Sequence, residues 1–269
     1  MTIRWHEQIC LLTGASGGIG SAIAHRLAGL GVRLILVGRN TERLAVLLEA
    51  LPGQHRAVSA DISISADRDR IFKVCQEMGR TMLVNNAGVS AVGDFHGVGE
   101  GALTQLMNIN LLAPMALTHR LLPLLRRADK AIVVNVGSAF GSIGFPCHAT
   151  YCASKFGLRG WTESMMREYS QSNLSFFYLA PRATKTAINQ QNVVAMNKAL
   201  GNEMDLPATV ADALVSQLNS GKKRWFVGSP EKWFARINGA LPELVDRVLY
   251  KKLKTIRKFV GSVKEEKLS

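Results

Sequence analysis

The chain is short of cysteine, aromatic residues and long apolar runs, and each shortage removes a class of protein. Four cysteines in 269 residues, with no Cys-x-x-Cys and no metal-ligand spacing, give neither a disulfide scaffold nor a zinc module. Cys10 sits in an apolar run and reads as a small packing residue. A bridge between Cys147 and Cys152 would crowd the residues between them, so reduced thiols and a cytoplasmic location are expected. The six histidines form no ligand cluster, and no catalytic metal is expected. Aromatic residues make up 7% of the chain. With no RRM, KH or zinc motif beside them, the net charge of +13 supports only weak, salt-sensitive contact with nucleic acid, which is not expected as a partner. No apolar stretch approaches the ~18 residues of a membrane span; the one after Asn110 is broken by Pro114, His119 and Arg120. The opening Met1–Glu7 lacks the pattern of a secretory leader, and there is no internal repeat.

What is present is a regular alternation of apolar runs and amphipathic stretches from residue 8 to about residue 228, the pattern of one α/β domain. Ile9-Cys10-Leu11-Leu12 reads as a strand buried on both faces. It leads into Thr13-Gly14-Ala15-Ser16-Gly17-Gly18-Ile19-Gly20, and then into a helix marked by Ile23, Leu27 and Leu30. Strand, glycine turn and helix form a dinucleotide cradle: the glycines admit a pyrophosphate and the helix N-terminus offers it unpaired N–H groups. A second run, Leu34–Val37, ends in Gly38-Arg39-Asn40. The tip of this strand meets the adenosine ribose in such folds, and an acid there favours NAD. Gly38 stands where that acid would sit and Arg39 follows it. A guanidinium suits a phosphate, so NADP(H) is expected over NAD(H).

The strands Met82–Val84 and Ala131–Val136 end in polar residues, Asn85-Asn86-Ala87-Gly88 and Gly137-Ser138. Ligands of open α/β sheets bind at those ends. Downstream, Tyr151 and Lys155 are spaced i, i+4 and share a helix face if residues 150–170 are helical. A phenol beside an ammonium ionises more readily, and such a group can exchange a proton with an alcohol or carbonyl. Asn110 falls in a long helical stretch, where an asparagine is mildly unfavourable.

Taken together and in order, these motifs resemble the classical short-chain dehydrogenase/reductase family over roughly residues 5–230. The resemblance implies a doubly wound Rossmann fold with a central parallel sheet flanked by helices on both faces. It implies a cofactor site built from Gly14, Ser16, Gly18, Ile19 and Gly20 in the loop, Arg39, Asp61 and Ile62 at the adenosine end, Asn86, Ala87 and Gly88, Pro181, and Thr186 beside the nicotinamide. Asn110, Ser138, Tyr151 and Lys155 match the family's catalytic tetrad. The implied reaction is hydride transfer between nicotinamide and a carbonyl or secondary alcohol. Tyr151 would act as acid or base, Lys155 would hold the nicotinamide ribose, Ser138 would bind the substrate oxygen and Asn110 would hold a relay water. Relatives suggest a homodimer or homotetramer. The competing class, a non-catalytic NADP-binding regulatory module, is disfavoured by the complete tetrad. The family usually carries glycine after the proline, where this chain has Arg182. Either the turn differs, or Arg182 reaches toward substrate, or a left-handed arginine costs about 1–2 kcal/mol.

Two regions bear on substrate. Phe140–Pro146 is apolar, and the variable lid at residues 187–206 contains Val193, Val194, Met196, Leu200 and Met204. Facing the cleft, these residues favour an acyl, lipid-like or ring ketone, carrier-bound or free. Residues 231–269 read as a basic amphipathic helical extension following the domain at 1–230. Trp233, Phe234 and Ile237 share a helix face. After Pro242, so do Val245, Val248, Leu249, Leu253, Ile256 and Val260, opposite Arg247, Lys251, Lys252, Lys254 and Arg257. This stripe packs on the domain or a partner subunit, or it lies on an anionic membrane surface.

Overall fold

A computed structural model describes residues 3–79, 81–186 and 191–260, apart from the side chains of residues 229–231. Residues 187–190 of the expected lid and 261–269 of the basic extension lie outside the described residues. Seven parallel strands form one sheet in the order β3-β2-β1-β4-β5-β6-β7. They are β1 (Ile9–Thr13), β2 (Arg33–Gly38), β3 (Arg56–Ser59), β4 (Met82–Asn85), β5 (Ala131–Val136), β6 (Leu174–Ala180) and β7 (Arg224–Phe226). This is the doubly wound Rossmann sheet.

The apolar runs are continuous because both faces of the sheet are covered. Successive side chains alternate between two cores: Cys10, Leu12, Leu34 and Leu36 enter one, while Ile9, Leu11, Ile35 and Val37 enter the other. Helices α1 (Gly18–Ala28) and α8 (Pro207–Ser220) close the first face. Helices α3 (Ser65–Met78), α5 (Ala113–Leu125) and α6 (Ala149–Glu168) close the second. Helix α2 (Thr41–Ala50) starts at Asn40, whose side chain accepts the Arg43 N–H at 2.7 Å as an N-cap.

The polar strand ends are tied laterally. Asn85 and Asn135 are register partners on β4 and β5. Asn85 Nδ2 donates to Asn135 Oδ1 at 2.8 Å and to Thr118 Oγ1 of α5 at 3.1 Å. Asn135 Nδ2 donates to Thr162 Oγ1 of α6 at 2.8 Å. All four residues are buried. The ladder fixes α5 and α6 against the strands that carry the site. Asn135→Ala removes one bond from each of its buried neighbours, Asn85 and Thr162, which keep Thr118 and the Leu158 carbonyl, and is expected to destabilise the fold by roughly 1–3 kcal/mol, read from urea unfolding.

Candidate functional site

The glycine loop is built around Gly14, whose φ is +64°. A side chain there would be strained, and its Cβ would stand 2.8 Å from Ala87 Cα. Thr13 Oγ1 accepts the N–H groups of Asn86 and Ala87 at 3.0 and 3.1 Å. Asn86 Nδ2 donates back to the carbonyls of Thr13 and Gly14 at 3.0 and 3.2 Å. The side chain of Asn86 is therefore spent on joining β4 to the loop, leaving backbone and Gly88 to face the cleft.

Two cavities meet above this loop. One, of about 220 Å³, runs past Gly14, Ser16, Gly18, Gly20, Arg39, Asp61 and Ile62. The other, of about 330 Å³, holds Ser138, Tyr151, Lys155, Pro181 and Arg182. Ile19, Asn86, Gly88, Val89 and Thr186 line both, so one cleft leads from Arg39 to Tyr151. Asp61 Oδ1 accepts from Ser63 N and Oγ at 2.8 and 2.6 Å, while Arg39 is exposed at the far end.

Tyr151 and Lys155 lie one turn apart on α6, with Lys155 Nζ 5.8 Å from the Tyr151 ring centre. Lys155 is buried and donates to the Val136 carbonyl at 3.1 Å. Burial draws its pKa down to about 8. The expected easing of Tyr151 ionisation by the ammonium is not what the protein alone displays. Burial pushes the phenol up to about 12, against a hydrogen bond with Ser138 that pulls it down. Desolvation outweighs a cation that is bound to a carbonyl several ångströms away.

Asn110 does not sit in ordinary α-helix. Residues Asn108–Leu112 form a π turn between α4 (Glu100–Met107) and α5, a bulge that often marks a site. Asn110 Oδ1 accepts from Val89 N at 2.8 Å, and Nδ2 donates to Val89 O at 2.9 Å and to Ser154 Oγ at 3.1 Å. Both amide hydrogens are thus committed to protein. A Cβ on Gly88 would lie 3.2 Å from Asn110 Oδ1 and 3.5 Å from Lys155 Nζ, so the three meet at one point.

Sequence reading missed three residues here. Ser154 is fully buried and donates to the Tyr151 carbonyl at 2.8 Å, linking Asn110 to α6. Tyr178, fully buried in β6, accepts the Ser138 N–H at 3.3 Å and donates to its carbonyl at 3.2 Å. A side chain on Gly137 would overlap its ring. His148, buried, packs edge-on against Phe140 and Phe145 at centroid distances of 5.2 and 5.4 Å. Burial lowers its pKa, against a bond to the Pro146 carbonyl. Only a phenol in the mostly apolar run Leu174–Ala180 and a polar residue one step before Lys155 hinted at Tyr178 and Ser154.

Arg182 carries no left-handed strain, since Cys147 is the one non-glycine with positive φ among the described residues. Its Nη2 pairs with Asp205 at 2.9 Å and Glu203 at 3.2 Å. Backbone bonds Lys185 N to Asp205 O and Asp205 N to Ala183 O, at 2.8 and 2.9 Å, stitch the same segments. The arginine ties this turn to the segment that carries Glu203 and Asp205. All four cysteines are free thiols.

A dinucleotide cradle on a doubly wound sheet, opening beside a Ser-Tyr-Lys cluster, defines an α/β oxidoreductase of the nicotinamide-binding class. Residues 8–197 match the family described as short chain dehydrogenase. The chain belongs to the short-chain dehydrogenase/reductase family, and it is similar to several of its members. It is 30% identical over 256 residues to an uncharacterized oxidoreductase, YxnA, of Bacillus subtilis, covering 91% of this chain and 72% of that protein. A 3-oxoacyl-[acyl-carrier-protein] reductase of Bos taurus is 29% identical over 219 residues, covering 80% and 92% of the two chains. Among solved structures, a short-chain dehydrogenase from Streptomyces avermitilis superposes with a TM-score of 0.76 at 26% identity, covering 96% and 98%. A short chain dehydrogenase/reductase from Burkholderia phymatum in complex with NAD gives 0.81 at 19%, covering 90% and 96%.

The buried ammonium has a stability consequence. Below pH 8 folded and unfolded chains both hold the Lys155 proton, and folding bears the whole cost of burying the charge. Between about 8 and 10.5 the folded state releases it first and the cost fades. Lys155→Met is expected to stabilise the protein at pH 7 by about 1–3 kcal/mol, with the advantage shrinking as pH rises toward 10.5, read from urea midpoints.

Proposed function

We propose that this protein is an NADP(H)-dependent reductase of an apolar ketone, reversible to the secondary alcohol. The observation that carries the reading is the junction of the two cavities, where the cradle meets Ser138, Tyr151 and Lys155. When bound, the dinucleotide supplies the hydride, and the chain supplies position and a proton. Tyr151 gives its proton to the carbonyl oxygen, and at a phenol pKa of about 12 it is protonated throughout the neutral range. Ser138 donates a hydrogen bond to the same oxygen. Its own Oγ accepts the Phe140 N–H at 3.1 Å, so the hydroxyl hydrogen it shares with Tyr151 is the one it turns toward substrate. Lys155 holds the nicotinamide ribose through donors its bond to Val136 does not use. Asn110 acts through the π turn it fixes beside Lys155, where a water would complete the proton relay. Thr186, which lines both cavities, meets the carboxamide.

Preference for the 2′-phosphate rests on Arg39 and on Gly38. A Cβ at Gly38 would already stand 3.1 Å from Ser16 Oγ, which crowds out an acid at the ribose. An apolar substrate is supported by Phe140, Ile143, Phe145, Val193, Met196 and Leu200 in the cavity wall. The free thiols suit a cytoplasmic setting.

Three measurements test the reading with a panel of apolar ketones, followed at the absorbance of reduced nicotinamide. Tyr151→Phe is expected to lower kcat by about 10²–10⁴; full activity would remove Tyr151 from the chemistry, and no turnover by the wild type would favour the non-catalytic module. Arg39→Asp is expected to weaken NADPH by about tenfold or more while sparing NADH; an unchanged preference rejects the phosphate assignment. The reductive kcat/KM for NADPH should be level from pH 6 to 7 and decline above about pH 8, where Lys155 loses its charge. A profile flat to pH 10 would exclude Lys155 as the titrating group.

A further inference from the structure

Helices α9 (Ser229–Ala240) and α10 (Pro242–Val260) follow β7 and form the outer wall of the substrate cavity. Much of the apolar stripe on α10 is accounted for by packing. Val245, Ile256 and Val260 are buried, and the last two pack with Val193 and Met196 of α7 (Gln191–Ala199). What packing does not account for is the surface beside it. Trp233, Phe234, Ile237, Leu241, Leu244 and Val248 are exposed by 58, 38, 39, 55, 47 and 38%. Phe234 and Val248 also line the cavity that holds Tyr151, so the apolar surface runs from the outside of the molecule into the substrate site.

The charge beside this surface is mostly positive. Arg247, Lys251, Lys254 and Lys258 stand exposed at i, i+4, i+7 and i+11 along α10. At about 100° per residue, Leu244 and Val248 lie within about 60° of Lys251 round the helix. Arg236 stacks over Trp233 at 5.3 Å, and Lys252 lines the cavity. From residue 232 to 258 there are eight lysines and arginines against two acids, Glu243 and Asp246. A Trp-containing apolar face flanked by lysines is the chemistry of an interfacial helix on anionic lipid. Among the described residues no helix is long and apolar enough to cross a membrane, so the contact is peripheral.

We propose that the α9–α10 face docks on an anionic bilayer, and that the substrate cavity receives its ligand from the lipid through that face. The delivery half rests on the cavity being the site of an apolar ketone; the docking half does not. Two other occupants fit less well. A second copy related by a two-fold axis would set one lysine ridge against the other. An acidic carrier protein would satisfy the ridge but leave Trp233, Ile237 and Leu241 in water.

The test is co-sedimentation of the full chain with vesicles of phosphatidylcholine, with and without phosphatidylserine. The chain should pellet with the anionic vesicles and stay in solution with the neutral ones. Trp233→Ser with Leu241→Ser, and separately Lys251→Glu with Lys254→Glu, should each weaken binding by about tenfold or more at an unchanged thermal midpoint and NADPH affinity. Failure of the wild type to bind, or binding kept by both variants, overturns the proposal. So does an oligomer that the serine variant turns into a monomer, or capture of an acidic carrier protein by a chain that ignores vesicles. Tyr151→Phe should sediment as the wild type does. Vesicle binding without ketone turnover would therefore sink the reductase reading while leaving the docking surface standing.

Discussion

The site is organised by one buried ammonium. Lys155 Nζ lies where the C-terminal end of β5, Gly88 after β4 and the π turn at Asn110 converge, and its bond to the Val136 carbonyl holds it at that crossing. An isolated charge there is unfavourable, as the fall of its pKa to about 8 records. The surrounding structure fixes the position through groups that have no other use. Asn110 binds Val89 and Ser154, Ser154 binds the Tyr151 carbonyl, and the Asn85–Asn135–Thr162 ladder holds α6 to the sheet. A fold that tolerates this cost gains a cation at the junction of two cavities, where a ribose and a phenol can both use it.

The raised pKa of Tyr151 and the lowered pKa of Lys155 have the same origin, and they are consistent with proton donation in reduction. A protonated phenol is the form an acid requires. In the proposed reduction, the ammonium would act on the negative oxygen as it develops. The i, i+4 spacing predicted proximity, because periodicity reports which groups are neighbours; it does not report how dry the neighbourhood is.

The same distinction separates what was legible in the sequence from what was not. The centre of the sheet was legible because β1, β2, β4 and β5 are apolar on both faces, and because the glycine turn and the Asn-Ala-Gly segment sit at strand ends; the short edge strands β3 and β7, only partly buried, carry no such run. The two-residue alternation between cores, as in Leu11 and Leu12, follows from the sheet once it is known to be covered twice. The conformation at Asn110 was not legible, since a π turn adds one residue to a helix without changing its composition. Arg182 was ambiguous because its partners, Glu203 and Asp205, are about twenty residues away in sequence. Tyr178 was hidden in an apolar run. Its partner is the backbone of Ser138, and its space is the missing side chain of Gly137.

The C-terminal helices carry this reasoning to its limit. Amphipathicity says that a face wants burial, and for α10 the domain supplies much of it: Ile256 is inaccessible and Val260 nearly so, against α7. Of the apolar residues that form the exposed patch, Val248 belongs to the α10 stripe and the rest do not. They cross from α9 to α10 through Leu241 and Leu244, and they become one surface only because the two helices pack together beside the cavity. A wheel drawn on either helix alone divides that surface in two. Its continuity with the cavity wall at Phe234 and Val248 makes the opening of the cleft and the exposed patch parts of one structural feature. An occupant of the patch would stand against the wall of the cavity that holds Tyr151.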